Sequence, residues 1–406
     1  MTLPTHPSTR EAGRHPRAGA RAADLTDLPH HRPARVEVDL DAVVHNVGVL
    51  RDRAGGAEVC AVVKADGYGH GAVPVARAAV AGGATWLAVA LVEEGLQLRA
   101  AGLDTPILLL SEPPIAAVAD LLAAELTPTV YREPFIAVLD AYGQTRGRPV
   151  RVHAKVDTGM GRVGIPTQEL EARLYQLATS VGIEVEGLAT HLARADEPDV
   201  PTTREQLAAF ERALRLAGRV GIRPRLIHAA NTAGILLHPD SHHTLVRPGI
   251  GLYGLSPSTE VDAASHGLRP ALRLVAEVSY VKRVAAGTPV SYGHRWRAPE
   301  DGFVATVPIG YADGVPRRLT NRAQVLLAGR RRPMVGTVTM DQLLVWCGED
   351  EVAVGDEVVL LGAAAGDPDL APSRAEEWAQ AADTITYEIA TSLTARLPRV
   401  HLGGGL

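Results

Sequence analysis

The segment Val62-Val63-Lys64-Ala65-Asp66-Gly67-Tyr68-Gly69-His70-Gly71 brings a primary amine to the end of an apolar, β-branched run and then breaks into glycines. A strand that delivers a lysine into a polar loop suits covalent chemistry on a carbonyl compound. With its ordinary pKa of about 10.4 an ammonium is no nucleophile, so the amine must be desolvated or already condensed with the carbonyl. Lys64 is the first candidate for such chemistry. The alternative is a surface lysine just past a buried strand.

Similar runs recur along the chain. They are Val59–Lys64, Trp86–Ala90, Ile107–Ser111, Leu126–Tyr131, Val150–Asp157, Val185–His191, Leu226–Asn231 and Leu245–Tyr253, separated by Ala/Leu-rich stretches. Between them Leu207, Phe210, Leu214 and Ala217 repeat at helical spacing within Thr203–Val220. Eight strand–helix units predict an α/β fold built on a (β/α)8 TIM-type barrel rather than an open doubly wound sheet. In a barrel the C-terminal strand ends line one mouth. Those ends carry Lys64 and Tyr68, then Lys155, Asp157 and Arg162, then His191, then Asn231 and Thr232, and finally Arg247, Gly249 and Ile250. Cations converging on a glycine turn suit a ligand with a phosphate and a carboxylate.

Past about Leu272 the texture changes to closely spaced strands with Gly and Pro turns. Ala276–Val284, Phe303–Pro308, Gln324–Leu327, Leu343–Cys347 and Glu357–Leu361 predict a mostly β C-terminal domain, with a helical segment at Ala375–Ala395. The expected division is a disordered extension at 1–32, a barrel at 33–271 and the β domain at 272–406. The Pro-, Arg- and His-rich extension holds no stretch long enough for a signal peptide or membrane span.

A chain of 406 residues, 46% hydrophobic and 21% charged, is ample for two cores. Its formal net charge of -5 offers no basic field for nucleic acid. Cys60 and Cys347 show neither CxxC nor CxxH spacing, which argues against a thiolate metal site or a disulfide framework and for a reducing, cytoplasmic home. No metal, nucleic acid or membrane partner is expected.

The Lys64 segment resembles the pyridoxal phosphate attachment motif of the alanine racemase family. Lys155-Val156-Asp157-Thr158-Gly159-Met160-Gly161-Arg162-Val163-Gly164, Arg247-Pro248-Gly249-Ile250-Gly251-Leu252-Tyr253-Gly254, Gly310-Tyr311-Ala312-Asp313-Gly314 and Met340-Asp341-Gln342 resemble its other signatures, in order, from about Pro33 to the C-terminus. Five ordered motifs identify the chain far more specifically than one.

The resemblance implies a two-base isomerase that interconverts L- and D-alanine with pyridoxal 5'-phosphate and supplies D-alanine for peptidoglycan. Lys64 and Tyr311 are the implied catalytic bases, with Tyr311 reaching the cofactor of the partner in a homodimer. His191 is implied beside Tyr311 and hydrogen-bonded toward Arg247, which faces the pyridine nitrogen. Tyr68, Asn231, Thr232, Gly249, Ile250 and Tyr387 complete the implied cofactor site. Arg162 and the backbone of Met340 are implied for substrate carboxylate and cofactor oxygen.

Family members often carry a carbamate on the lysine matching Lys155; an unmodified Lys155 paired with Asp157 or Asp341 is the alternative. Thr337 and Thr339 replace residues that are often Arg and Cys at the family's substrate entry. Rival readings are a broad-specificity or serine racemase, a pyridoxal phosphate homeostasis protein, which would lack the second domain and Tyr311, and a barrel decarboxylase of basic amino acids, which would lack Arg247.

Overall fold

The computed structural model describes residues 30–363 and 373–404. Strand β1 is Ala34–Asp39, and the barrel strands are β2 Glu58–Val62, β3 Trp86–Val89, β4 Ile107–Leu109, β5 Leu126–Val130, β6 Val150–Lys155, β7 Ile183–Ala189, β8 Leu226–His228 and β9 Leu245–Val246. Among the described residues, β2 to β9 form one sheet in the order β8-β7-β6-β5-β4-β3-β2-β9. All pairings within it are parallel. The seam between β8 and β9 is bridged by Thr244 N donating to Ile227 O at 3.1 Å and Arg247 N to Ala230 O at 3.0 Å. Eight parallel strands thus make the expected nearly closed (β/α)8 barrel.

Most of the strands are shorter than the runs that announced them. Leu245–Tyr253 contains a two-residue strand followed by a 3-10 turn at Ile250–Tyr253. Most of the polar residues at the run ends therefore sit just beyond the ladder, whereas Lys155 ends β6 opposite Ala189 and Arg247 N bridges the seam. The outer layer follows from helical spacing: in Thr202–Arg219, Phe210, Ala213 and Ala217 are buried along one stripe. Burying Phe210 alone contributes about 1.5–3 kcal/mol of transfer free energy.

The second sheet comprises β10 Leu272–Glu277, β11 Tyr280–Val284, β14 Gly302–Val307, β15 Gln324–Leu327, β16 Arg330–Val335, β17 Leu343–Gly348, β18 Glu357–Leu361 and β19 Arg399–Leu402; a small ribbon pairs β12 Pro289–Val290 with β13 Trp296–Arg297. Its order is β11-β14-β17-β16-β15-β18-β10-β1-β19. Strand β1, inside the segment expected to form the barrel, pairs here instead, antiparallel to β10 (Val36 opposite Leu274) and parallel to β19. The polar/apolar alternation Arg35-Val36-Glu37-Val38-Asp39 marks it as a strand but does not choose its partner.

Ala276–Val284, expected as one strand, is broken between β10 and β11. There Val278 N turns to Asp356 O and Ser279 N to Thr306 O. Ala375–Ala395 divides into helices Ala375–Ala382 and Thr386–Thr391, separated by Asp383 at φ 58°. Among the described residues no helix is long and apolar enough to cross a membrane, and no group of His, Cys, Asp and Glu is arranged to hold a metal ion. Cys60 and Cys347 are free and buried. The expected disorder of residues 1–29 lies outside the described residues.

Candidate active site

Lys64 follows β2 after Val63 and opens a turn in which Ala65, Asp66, Gly67 and Tyr68 all have positive φ, between 50° and 59°. Three of these residues carry a Cβ, so the turn is strained and must be held from outside. Glu94 holds one side: Oε1 accepts from Ala65 N at 2.6 Å, while Oε2 accepts from Ala90 N and Leu91 N. Asp66 Oδ1 accepts from Ala72 N at 2.8 Å, and Tyr253 Oη donates to Val62 O at 3.1 Å. The strain aims Lys64 and Tyr68 into one cavity at the barrel mouth.

That cavity, about 450 Å3, is lined by Lys64, Tyr68, Lys155, Arg162, His191, Asn231, Thr232, Arg247, Gly249, Ile250 and Tyr387, among others. The barrel therefore brings together every candidate expected at its strand ends except Asp157, plus Tyr387 from the C-terminal helix. Asp157 Oδ1 instead accepts from Gly159 N and Gly161 N, shaping the loop that carries Arg162. Tyr311 and Met340 are not in this cavity. They sit on the β domain, 41% and 52% exposed.

The cations crowd one another. Burial, then Arg162, lowers the Lys64 pKa, and Glu94 opposes the shift. Burial, Arg247 and Arg162 bring Lys155 down to about 8. Its two suggested carboxylate partners are engaged elsewhere, since Asp341 pairs with Arg396 at 2.7 Å. Arg247 is buried and brought down to about 10, so it stays charged at neutral pH. Its Nη2 donates to Thr190 O at 2.7 Å and Ala229 O at 3.1 Å, with His191 Nδ1 at 3.4 Å.

Arg247 Nη1 meets His228 Nδ1 at 2.5 Å. A guanidinium has no acceptor, so His228 Nδ1 must accept and its proton must sit on Nε2. From there it is donated to His153 Nδ1 at 2.8 Å. Both imidazoles are buried and held below the usual histidine range, His153 at about 3, first by desolvation and then by Arg247. These two neutral histidines were not singled out from the sequence. Their signal was positional: both alternate inward on strands whose ends carry candidates, but inward is defined only once the barrel closes.

At the other side of the cavity the donors are hydroxyls. Thr232 Oγ1 accepts from Gly249 N at 3.1 Å and Gly251 N at 3.2 Å, which leaves its own proton to donate. Asn231 caps the helix that begins at Thr232, its Oδ1 accepting from Gly234 N at 2.9 Å. Burial keeps the Tyr68 phenol protonated, with its pKa pushed up to about 12, and pushes Tyr387 up as well. A Cβ at Gly249 would fall 2.6 Å from Tyr68 Oη, so only glycine lets the turn approach this closely. Neutral hydroxyl donors around a glycine turn match a phosphate, and the buried guanidinium matches an acceptor nitrogen. The donor set thus fits pyridoxal phosphate, with Lys64 lining the same cavity.

Thr337 is buried and donates to Tyr292 O at 2.7 Å. Thr339 donates to Gln342 O at 2.7 Å.

Profiles of two domains match the chain, the alanine racemase N-terminal domain over residues 38–257 and the alanine racemase C-terminal domain over 271–401. The alanine racemase of Thermobifida fusca is 47% identical over 374 residues, covering 91% of this chain and 98% of its own length. That of Symbiobacterium thermophilum is also 47% identical, over 378 residues, covering 93% and 99%. Among solved structures, alanine racemase from D-cycloserine-producing Streptomyces lavendulae superposes with a TM-score of 0.87 at 41% identity, covering 93% of this chain and 98% of that one. The enzyme from Bacillus anthracis with bound L-Ala-P gives 0.84 at 37% identity, covering 93% and 97%. Matches of this extent across both domains place the chain in the alanine racemase family.

Proposed function

We propose that this chain interconverts L- and D-alanine with pyridoxal 5'-phosphate in the barrel mouth, as a cytoplasmic homodimer whose product serves peptidoglycan. The observation that carries the reading is the convergence of Lys64, Arg247 and the hydroxyl-lined glycine turn on one cavity. The cofactor, when bound, supplies an electron sink that acidifies the α-hydrogen of an attached amino acid. Everything else belongs to side chains of the protein.

Lys64 is the base on one face, and its lowered pKa raises the share of free amine available to take a proton. Arg247 is fixed by four partners and cannot accept a proton at the pyridine nitrogen, so that nitrogen stays a hydrogen-bond acceptor. Tyr68, Thr232, Tyr387 and the Gly249-Ile250 turn hold the phosphate. Arg162, exposed at the rim, takes the substrate carboxylate. Tyr311 is the second base and, with Met340, belongs to the cavity of the partner protomer. Their exposure on the β domain, away from the cavity of their own chain, supports that assembly.

Lys155 carries a carbamate in this reading. With a pKa of about 8, about one-tenth of the amine is neutral at pH 7, against well under a thousandth for an unperturbed lysine. The neutral Nζ attacks carbon dioxide, a C–N bond forms, a C=O electron pair moves to oxygen and one proton leaves. A cation becomes an anion among Lys64, Arg162 and Arg247. Protein equilibrated with 13C-bicarbonate is expected to show one slowly exchanging carbamate carbon by NMR, growing with pH up to about 8. Its persistence in Lys155→Ala would remove the assignment.

The activity itself is tested by α-hydrogen exchange in deuterated water with a panel of amino acids of both hands. Both alanine enantiomers are expected to exchange and racemise, with serine slower by about 10- to 200-fold because a small pocket discriminates one extra group by 1–3 kcal/mol. Exchange without racemisation, or no exchange of alanine, would overturn the reading.

A further inference from the structure

The turn Gly310-Tyr311-Ala312-Asp313-Gly314 is pinned from two sides. Tyr311 N donates to Thr339 O at 2.9 Å and Ala312 N to Met340 O at 3.0 Å. From the C-terminal side, Thr394 Oγ1 donates to Ala312 O at 3.0 Å and Ser392 Oγ to Gly314 O at 3.1 Å. A Cβ at Gly310 would lie 2.3 Å from Thr339 O, and one at Gly314 2.4 Å from Ser392 O, so both glycines are required by close backbone approach.

The centre of the turn is Asp313, fully buried. Its Oδ2 accepts from Gly310 N at 2.9 Å, closing the turn on itself. An unpaired buried carboxylate is strongly unfavourable, so the turn keeps this shape only if a cation comes to it. That cation is Arg32, 281 residues earlier in the chain. Its Nη1 meets Oδ2 and its Nη2 meets Oδ1, each at 2.8 Å, a two-pronged fork. The same guanidinium donates to Pro308 O at 3.3 Å and Arg396 O at 3.2 Å. Arg396 in turn places Nε 3.5 Å from Asp313 Oδ1 and pairs with Asp341, the neighbour of Met340.

Arg32 precedes both matched domains and was expected to belong to a disordered extension. We propose that Arg32 is a positioning residue for the second base: by clamping Asp313 it sets the direction in which Tyr311 leaves the turn toward the partner's cavity. The proposal rests on the racemase reading above. It explains why an arginine outside the barrel is tied by four hydrogen bonds to the loops around Tyr311 rather than left in solvent.

Misplacing a catalytic group by about 1 Å costs on the order of 10²-fold. Racemisation rates do not isolate the effect, because at equal L and D stability kcat/KM must fall together in both directions. Exchange resolved by enantiomer does isolate it, since Lys64 alone can remove and return the α-hydrogen of D-alanine. In the cofactor-loaded homodimer, Arg32→Met is expected to lower L-alanine exchange by about 10- to 100-fold and to leave D-alanine exchange within about twofold. Arg32→Lys, which restores charge without the fork, is expected to recover part of the loss. Adding Asp313→Asn to Arg32→Met is expected to cost little more, because both changes remove one interaction.

Equal losses for both enantiomers, or no loss for either, would overturn the assignment of Arg32 while leaving the racemase reading intact. Wild-type protein that exchanges neither enantiomer would instead overturn that reading, and this proposal with it.

Discussion

Replacing Lys64 with alanine is expected to lower racemisation of either enantiomer by about 10⁴-fold, the upper range for a single positioned acid–base group. Two functions fall together. The side chain is the proposed covalent anchor for the cofactor, and it is the base that serves D-alanine. The guanidinium groups that share the cavity, Arg162 and Arg247, cannot act as bases in its place. The variant should remain folded, because the strained turn is held by Glu94, Asp66 and the Tyr253 phenol rather than by the lysine amine. Borohydride reduction of wild-type holoprotein followed by peptide mapping is expected to find the cofactor on the peptide containing Lys64. A reduced adduct on any other peptide, or near-full activity of Lys64→Ala, would remove it from the mechanism.

The barrel was legible because its signal is local and repeated. Fully buried strands such as β3 and β4 require unbroken apolar runs, and β-branched runs recur eight times along this part of the chain. The cavity residues were legible for a related reason. The fold sends strand ends to a common mouth, so a list of polar residues at those ends is a list of neighbours. Strand β16 was not among the expected strands, and its sequence opens on Arg330-Arg331-Arg332-Pro333. In the fold, Arg332 is buried, donates to Leu327 O and Cys347 O and pairs with Asp350, which satisfies a guanidinium that sequence alone would leave in water.

Partner choice is the common element in what escaped. Strand β1 has the alternation of any half-buried strand, and only its register against β10 and β19 removes it from the barrel. His153 and His228 lie 75 residues apart, and Arg32 and Asp313 are 281 apart. Each is ordinary in its own segment. Their meaning is the meeting, which depends on closure of the barrel or on the sheet that joins the two chain ends.

The sharpest test of the two-base reading is Tyr311→Phe. Exchange of the L-alanine α-hydrogen is expected to fall by about 10³-fold, within the usual range for loss of a positioned acid–base group, while D-alanine exchange stays near the wild-type rate. The asymmetry follows from geometry. Lys64 is in the barrel cavity, whereas Tyr311 leaves a separate turn on the β domain, so removing one phenol leaves the other proton path untouched. Folding should not mask the result. Tyr311 is 41% exposed, and its turn is held by the Tyr311 and Ala312 backbone and by Asp313, none of which involves the phenol. The homodimer adds a second consequence. Mixing Lys64→Ala with Tyr311→Phe protomers should regenerate one intact composite site in each mixed dimer and none in either parent. Recovery of up to about half the wild-type activity per mixed dimer is then expected, because the catalytic groups act as a unit and are not additive. Equal slowing of the two enantiomers would give Tyr311 a packing role, and a mixture as inactive as its parents would place both bases in the same protomer.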